Sequence, residues 1–392
     1  MGQESKTKEE QVYEELRKTM NEAPFRAPKS PSVMKVLKLF FPTVEMAEIG
    51  KYLECPWIGG KFKTAKMIAK ESGKDLEKVK AILDQLFIRG GILRLKIPGG
   101  KKRSDVKIYF HVGTWGMSDI LGTIGKDDTT DPAGLTYREV INKYYEEGYL
   151  MEWGPSKYPA FRTLMVDEPI DVEAKVLPYE LASSIIKANK TVAIGYCNCR
   201  VRHRNCDHKI DCCILLSFFA DMCVQLSKET PGARSINYVS QEKALEVLEE
   251  CFKEGLVAST LNNASPTEAF FICMCCPCCC HVLGGYTKNI TGWGNFYQTM
   301  KSNFQPRRDE AKCRKCNTCV KMCPVNAMWR HWPHKSDLSD DFIYHDENRC
   351  LGCGICAFNC PHDALTMVKV RDFTPEPNLP TQFKRVHKEG MH

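Results

Sequence analysis

The chain has 392 residues and a formal net charge of +7, with 43% hydrophobic and 26% charged residues. These are ordinary globular values, and they argue against global disorder, collagen-like repeats and coiled-coil arrays. No run approaches the ~18 uninterrupted apolar residues of a membrane span, and the polar start MGQESKTKEEQ lacks the apolar stretch of a secretory signal, so a cytoplasmic chain without a membrane span is expected.

In chain order, residues 1–32 read as a flexible, charged leader with a helical stretch around Glu9–Met20. Residues 33–112 follow the order of a winged helix. Val33–Phe41 has helical apolar spacing and stops at Pro42. Thr43–Leu53 and Thr64–Ser72 are further helical segments. Asp75 caps a longer helix carrying Leu76, Val79, Ile82, Leu83 and Leu86. ILRLKI and VKIYFHV then read as two strands around the turn PGGKKRSD. Residues 51–112 hold 15 Lys/Arg against 6 Asp/Glu. Lys101, Lys102 and Arg103, with Arg94, Lys96 and Lys107, form a basic patch suited to nucleic-acid phosphate, to an acidic redox partner, or simply to solvent. Residues 113–176 form a linker or helical region, with Tyr137–Tyr149 helical. Residues 177–304 form a cysteine-rich domain: a helix over Pro178–Asn189, a strand over Thr191–Tyr196 leading to Cys197, and helices over Ile214–Leu226 and Gln241–Glu254. Residues 371–392 read as a polar tail extended over the surface.

The 22 cysteines are the compositional outlier. In a chain without an export signal, such density reads as metal binding rather than as disulfide staples. Residues 305–370 contain an internal repeat: Cys313-x2-Cys316-x2-Cys319-x3-Cys323-Pro324 recurs as Cys350-x2-Cys353-x2-Cys356-x3-Cys360-Pro361. Three thiolates two residues apart reach three corners of one Fe–S cube. The fourth has turned into the following helix and reaches the other cube. This places one [4Fe–4S] cluster on Cys313, Cys316, Cys319 and Cys360, and a second on Cys350, Cys353, Cys356 and Cys323. Gly352 and Gly354 leave backbone amides free to approach sulfur, and Val320, Met322, Leu351 and Ile355 shield the clusters. The segment resembles two-cluster bacterial ferredoxins. The link between its halves, Trp329–Phe342, is long, and its aromatic residues are expected to cover the cluster domain.

A second constellation is Cys197-Asn198-Cys199-Arg200, then Cys206 and Cys212-Cys213, then Cys273-Met274-Cys275-Cys276-Pro277-Cys278-Cys279-Cys280-His281. Six thiols within eight residues are a chemical liability unless a metal takes them up. Arg200, Arg202, His203, Arg204, His208 and Lys209 would offset thiolate charge. On YCNCRVRHRNCDHKIDCCILL and FICMCCPCCCHVL, followed by the double repeat, the chain resembles a group of poorly characterised iron–sulfur proteins of anaerobic bacteria. The resemblance spans about residues 176–370. It implies redox chemistry or electron transfer, and it marks Cys197, Cys199, Cys206, Cys213, Cys273, Cys275, Cys276, Cys278, Cys279 and Cys280 as ligands, with Cys212 an extra. These ten suit one or two further clusters, giving three or four [4Fe–4S] clusters in total. A single larger cluster and zinc remain alternatives.

No nucleotide-binding glycine motif, P-loop, nucleophile elbow or zinc-protease motif occurs. The expectation is therefore an α+β, multidomain chain with a winged-helix-like domain, a central cysteine-rich α/β domain and a two-cluster ferredoxin domain. It would relay single electrons between redox partners of unknown identity, as a component of a larger oxidoreductase system more than as a stand-alone enzyme. The alternatives are a redox-responsive DNA-binding regulator and a reductase whose central cluster is catalytic.

Overall fold

The computed structural model describes residues 7–97, 105–149, 158–171, 173–288, 299–331 and 341–389. The basic wing turn with Lys101, Lys102 and Arg103, and Trp332 and His334 of the ferredoxin link, lie outside them.

Helix α1 (Lys8–Asn21) starts at a capping box in which Thr7 and Glu10 satisfy each other's backbone amides. Its Val12, Tyr13, Leu16 and Met20 recur at helical spacing and are buried. The expected flexible leader is corrected in this part: its helical stretch is packed into the core, anchored by the Tyr13 hydroxyl donating to the Phe41 carbonyl at 2.5 Å. Helices α2 (Pro31–Phe40) and α3 (Val44–Gly50), strand β1 (Lys63–Thr64) and helices α4 (Ala65–Ser72) and α5 (Leu76–Ile88) follow. Ser30, Thr43, Thr64 and Asp75 cap the four helices with side-chain oxygens. Strands β2 (Leu93–Ile97) and β3 (Val106–Phe110) pair antiparallel, and β1 adds to the free side of β3. Helix α6 (Gly113–Thr123) is buried on almost every side. Helix α7 (Tyr137–Tyr144) runs on into a π-turn at Tyr145–Tyr149.

A six-stranded sheet forms the middle of the molecule. Its strands are β4 (Phe161–Thr163), β5 (Val192–Gly195), β6 (Cys213–Leu216), β7 (Val257–Leu261), β8 (Phe271–Cys275) and β9 (Thr299–Met300), in the order β5-β6-β8-β7-β4-β9. All neighbours are antiparallel except β4 and β9. Helices α8 (Ala182–Ala188), α9 (Asn198–His203), α10 (Ser217–Glu229), α11 (Gln241–Lys253) and α12 (His281–Lys288) accompany it. Residues 214–216 were expected to open a helix. The apolar run CILL is instead a buried strand on both faces, and the helix starts at Ser217.

Side chains alternate across a strand, and this sheet divides two apolar cores. Ala193, Cys213, Leu215, Leu261 and Phe271 face the core shared with the N-terminal helices. Val192, Cys212, Ile214, Leu216, Ala258, Ile272 and Met274 face the other, shared with the C-terminal domain. That domain comprises β10 (Phe304–Arg308), α13 (Thr318–Met322), β11 (Met328–His331), β12 (Phe342–His345), α14 (Ile355–Phe358) and β13 (Leu365–Lys369), with β10 pairing β13 and β11 pairing β12. The tail expected to be extended carries helix α15 (Leu379–Glu389), because Leu379, Phe383 and Val386 make one buried stripe. Among the described residues no helix is long and apolar enough to cross a membrane.

Candidate iron–sulfur and metal centres

The two halves of the C-terminal repeat adopt matching backbones. Lys315 and Asn317 have positive φ (52° and 67°), as do their equivalents Gly352 and Gly354 (72° and 81°), and Asn326 matches Asp363 (52° and 47°). These left-handed residues curl each loop so that its cysteines face inward. Cys319 stands among Cys313, Cys316 and Cys360, and Cys323 stands with Cys350, Cys353 and Cys356. The first four thiols line a cavity of about 20 Å³ walled by Met328, Ile343 and Leu365. Backbone amides donate to sulfur symmetrically: Ala327 to Cys323 at 3.1 Å and Ala364 to Cys360 at 3.4 Å, with Gly352 donating to Cys350 at 3.4 Å. Burial pushes the Cys350 and Cys319 thiols up to about 11, so their ionised forms need a metal to carry the charge. The donor set, the apolar lining and the N–H···S bonds all suit [4Fe–4S] clusters.

The loops differ in their surroundings. Cys316 is exposed. The second loop is pressed against the rest of the chain: a Cβ on Gly352 would lie 2.1 Å from the Phe304 carbonyl oxygen, and one on Gly354 would lie 2.3 Å from Val166 Cγ2. Leu351 and Ile355 are buried, and Val320 and Met322 are half-buried. Trp329 and Tyr344 stack across the β11–β12 hairpin with ring centres 4.3 Å apart. Both stay exposed, at 41% and 43%.

The structure sorts the central cysteines into two groups. Cys213 ends up beside Cys273 because β6 and β8 pair Ile214 with Ile272, and Cys273 and Cys275 share a face of β8. Side-chain contacts run from Cys213 to Cys273, from Cys273 to Cys275, and from Cys275 through Cys280 to Cys199. With Cys197 these six form one wall of a cavity of about 110 Å³. The opposite walls are mostly aromatic: Phe25, Trp57 and Trp115 from the N-terminal helices and loops, Phe161, Phe218 and Phe271 from the sheet region, and Phe383 from α15. The second group is Cys206, Cys276, Cys278 and Cys279, whose sulfurs all lie within 4.8 Å of one another. Cys212 joins neither group. It points to the opposite face of the sheet, beside Cys251, and accepts from the Arg200 guanidinium at 2.6 Å.

Two site residues, Asp119 and Tyr145, gave no sequence signal. Asp119, one helical turn after Trp115 on α6, lines the cavity and accepts from the Tyr145 hydroxyl at 2.9 Å and from the Asn198 amide. Burial pushes its carboxyl up to about 7. Arg202 and Tyr145 pull it down, and Cys273 and Cys280 raise it further. Tyr145, delivered by the π-turn, stacks on His281 with ring centres 3.7 Å apart, and His281 Nε2 lies 3.0 Å from His203 Nε2. Arg202, fully buried, donates to Asn198 and Asn142 and lies over the Tyr145 ring. Arg94, expected in an exposed basic patch, is buried and paired with Asp84 at 2.8 Å and Glu229 at 2.5 Å, while Lys107 pairs with Asp84.

No curated protein and no solved structure matches the chain. Residues 312–371 match the family model of the 4Fe-4S dicluster domain. The chain therefore carries a ferredoxin-type domain with [4Fe–4S] cofactors and is an iron–sulfur electron-transfer protein.

Proposed function

We propose that this chain relays single electrons between redox partners, inward from the surface. The cluster of Cys313, Cys316, Cys319 and Cys360 is the outer terminal. The cluster of Cys350, Cys353, Cys356 and Cys323 is the inner one, and a central cluster on the cavity-wall cysteines is the far end. The observation that carries this reading is the unequal burial of the two ferredoxin loops. The first presents Cys316 to solvent. The second is bonded into the body of the molecule: the Val166 amide donates to the Cys353 carbonyl at 3.2 Å, and two residues earlier the Leu164 amide donates to Ala258 on β7 at 2.9 Å. Ser259, the next residue, pairs with Cys273. One short stretch of backbone thus spans from an inner-cluster ligand to the strand pair that bears the central cysteines. Clusters suit such a path because their charge spreads over many atoms, while the protein supplies spacing, burial and N–H···S bonds. The order fits a component of a larger anaerobic oxidoreductase system, with donor and acceptor docking at opposite ends.

The test is anaerobic purification with iron counting and low-temperature paramagnetic resonance after dithionite. About 12 irons, at four per cubane, and interacting reduced clusters are expected. Cys316→Ser should remove or alter the outer signal and slow reduction of the others by a protein donor. Equal reduction rates in that variant would refute the inward order.

A second reading is favoured by the cavity itself. An aromatic chamber with thiols on one wall and one acidic group, Asp119, suits reduction of a small apolar substrate at the central cluster, with Asp119 supplying a proton. Small ligands that perturb the central signal alone, and loss of turnover in Asp119→Asn, would support it. A nucleic-acid role draws less support. Arg94 is consumed by internal ion pairs, and Lys96 and Lys107 lie against Glu229 and Asp84.

A further inference from the structure

We infer that Cys206, Cys276, Cys278 and Cys279 hold one tetrahedral divalent ion, zinc or ferrous iron, and not an iron–sulfur cube. A tetrahedral ion with metal–sulfur bonds of about 2.3 Å sets its four sulfurs about 3.8 Å apart. Here Cys206 Sγ lies 3.5 Å from Cys279 Sγ and 3.9 Å from Cys276 Sγ, and all four fall within 4.8 Å of one another. A cube interposes four irons and needs its ligands farther apart. The same structure supplies the contrast. Among the described residues no other set of cysteine, histidine or carboxylate groups gathers so closely, the eight ferredoxin cysteines and the six cavity-wall cysteines included.

The loops are built around the four sulfurs. Cys206 follows Arg204, whose positive φ of 52° ends α9. The other three follow β8, where Pro277 breaks the strand. The His208 amide donates to Cys206 and the Asn205 amide to Cys279, and the Asn205 side chain donates to the Cys278 carbonyl at 3.3 Å. Such N–H···S contacts are what thiolate ligands of a metal receive. All four cysteines are free of disulfides. An S₄ set with no histidine or water position matches zinc or a single iron, and a closed set marks a structural or one-electron role more than a catalytic one. The ion would tie the loop after α9 to the loop after β8, and so fix Cys199 and Cys280, which begin on those same segments and turn to the cavity.

This ion is independent of the electron path proposed above, and its test fails separately. Zinc and iron are counted per chain in anaerobically purified protein, with X-ray absorption at the zinc edge and Mössbauer spectra for iron. The expected result is one zinc with four sulfur neighbours near 2.3 Å and no metal neighbour, or one mononuclear ferrous site on four sulfurs. Cys206→Ser combined with Cys279→Ser should then lose one metal equivalent while every cluster signal keeps its intensity. The inference is overturned if the native protein has neither zinc nor mononuclear iron, or if the variant loses about four irons together with a cube signal. Peptide mapping that finds a Cys206–Cys279 disulfide overturns it as well. Should the variant fail to fold, the spectra of the native protein decide alone.

Discussion

At the scale of single residues, two buried titratable side chains, Arg200 and His111, carry much of what the cysteine pattern leaves out. Arg200 is 1% exposed and sits between the two faces of the sheet, donating to the Met274 carbonyl at 2.9 Å and to Cys212 at 2.6 Å. Burial works against its charge, but Cys197, Cys212 and Cys276 hold it protonated. Arg200→Met should therefore lower the reduction potential of the central centre, since a positive charge beside the thiolates is gone, and should cost ~3–5 kcal/mol of stability. Potentiometric titration under argon reads the first and denaturation the second. An unmoved central potential would show that Arg200 is structural only. His111 makes a pH prediction. It is fully buried, accepts from the Gly113 amide on Nδ1 at 3.2 Å, and its Nε2 has no partner among the described residues. Burial pulls its pKa down from 6.5 to about 3, with Glu54 a small opposing influence. The folded state thus resists a proton that the unfolded chain accepts. This contribution to stability is whole above pH 6.5 and drains as pH falls toward 3, by up to about 5 kcal/mol. Denaturation midpoints of the native chain and of His111→Phe should converge on acidification. Parallel curves would count against this. The cysteines were legible because thiols packed this densely along a chain have little use besides holding metal. Asp119 and Tyr145 were not, because each is an ordinary residue on an ordinary segment and only tertiary packing brings them to one cavity.

At the scale of elements, glycine separates the two ferredoxin loops. Both need left-handed backbone at the same two places, yet only the second uses Gly352 and Gly354. Lys315 and Asn317 suffice in the first, where the loop is open. The difference is space as well as φ: at 352 a methyl group would run into the Phe304 carbonyl and Ser302 Oγ. Gly352→Ala should push the second loop off β10, cost ~1–3 kcal/mol, and lose the inner cluster's four irons while the outer signal persists. Iron counting with paramagnetic resonance checks this, and full iron content in the variant would contradict it. The repeat, the capped helices of the N-terminal region and β5 were readable from spacing and caps. The start of β6 was not, since a four-residue apolar run carries no period that tells strand from helix. Helix α15 was missed because its polar composition hides a narrow stripe of Leu379, Phe383 and Val386.

At the scale of the whole molecule, the sheet works as a partition with the ferredoxin domain on one side and an aromatic chamber on the other. The chamber is closed by parts distant in sequence. Phe383 of α15 lies 6.0 Å from Phe25 and 6.4 Å from Trp57, ring centre to ring centre. Gln382, fully buried, donates to the Ala160 carbonyl at 2.7 Å, and its side-chain oxygen accepts from Asn263. His387 Nδ1 approaches the Ala23 carbonyl at 2.7 Å, and Arg26 donates back to the His387 carbonyl. One short helix therefore ties the N-terminal segment to the ends of β4 and β7, on the side of the chamber opposite the cysteine wall. Phe383→Ala should cost ~3–5 kcal/mol if the site cannot collapse. It should also open the chamber without touching either ferredoxin loop. Two readouts follow. An apolar dye should fluoresce more strongly with the variant, and on exposure to air the central signal should decay several-fold faster than in the native chain, while the ferredoxin signals decay at their former rates. Uniform acceleration of all signals would mean that the substitution loosens the whole fold, and that α15 is a general brace and not the roof of the chamber.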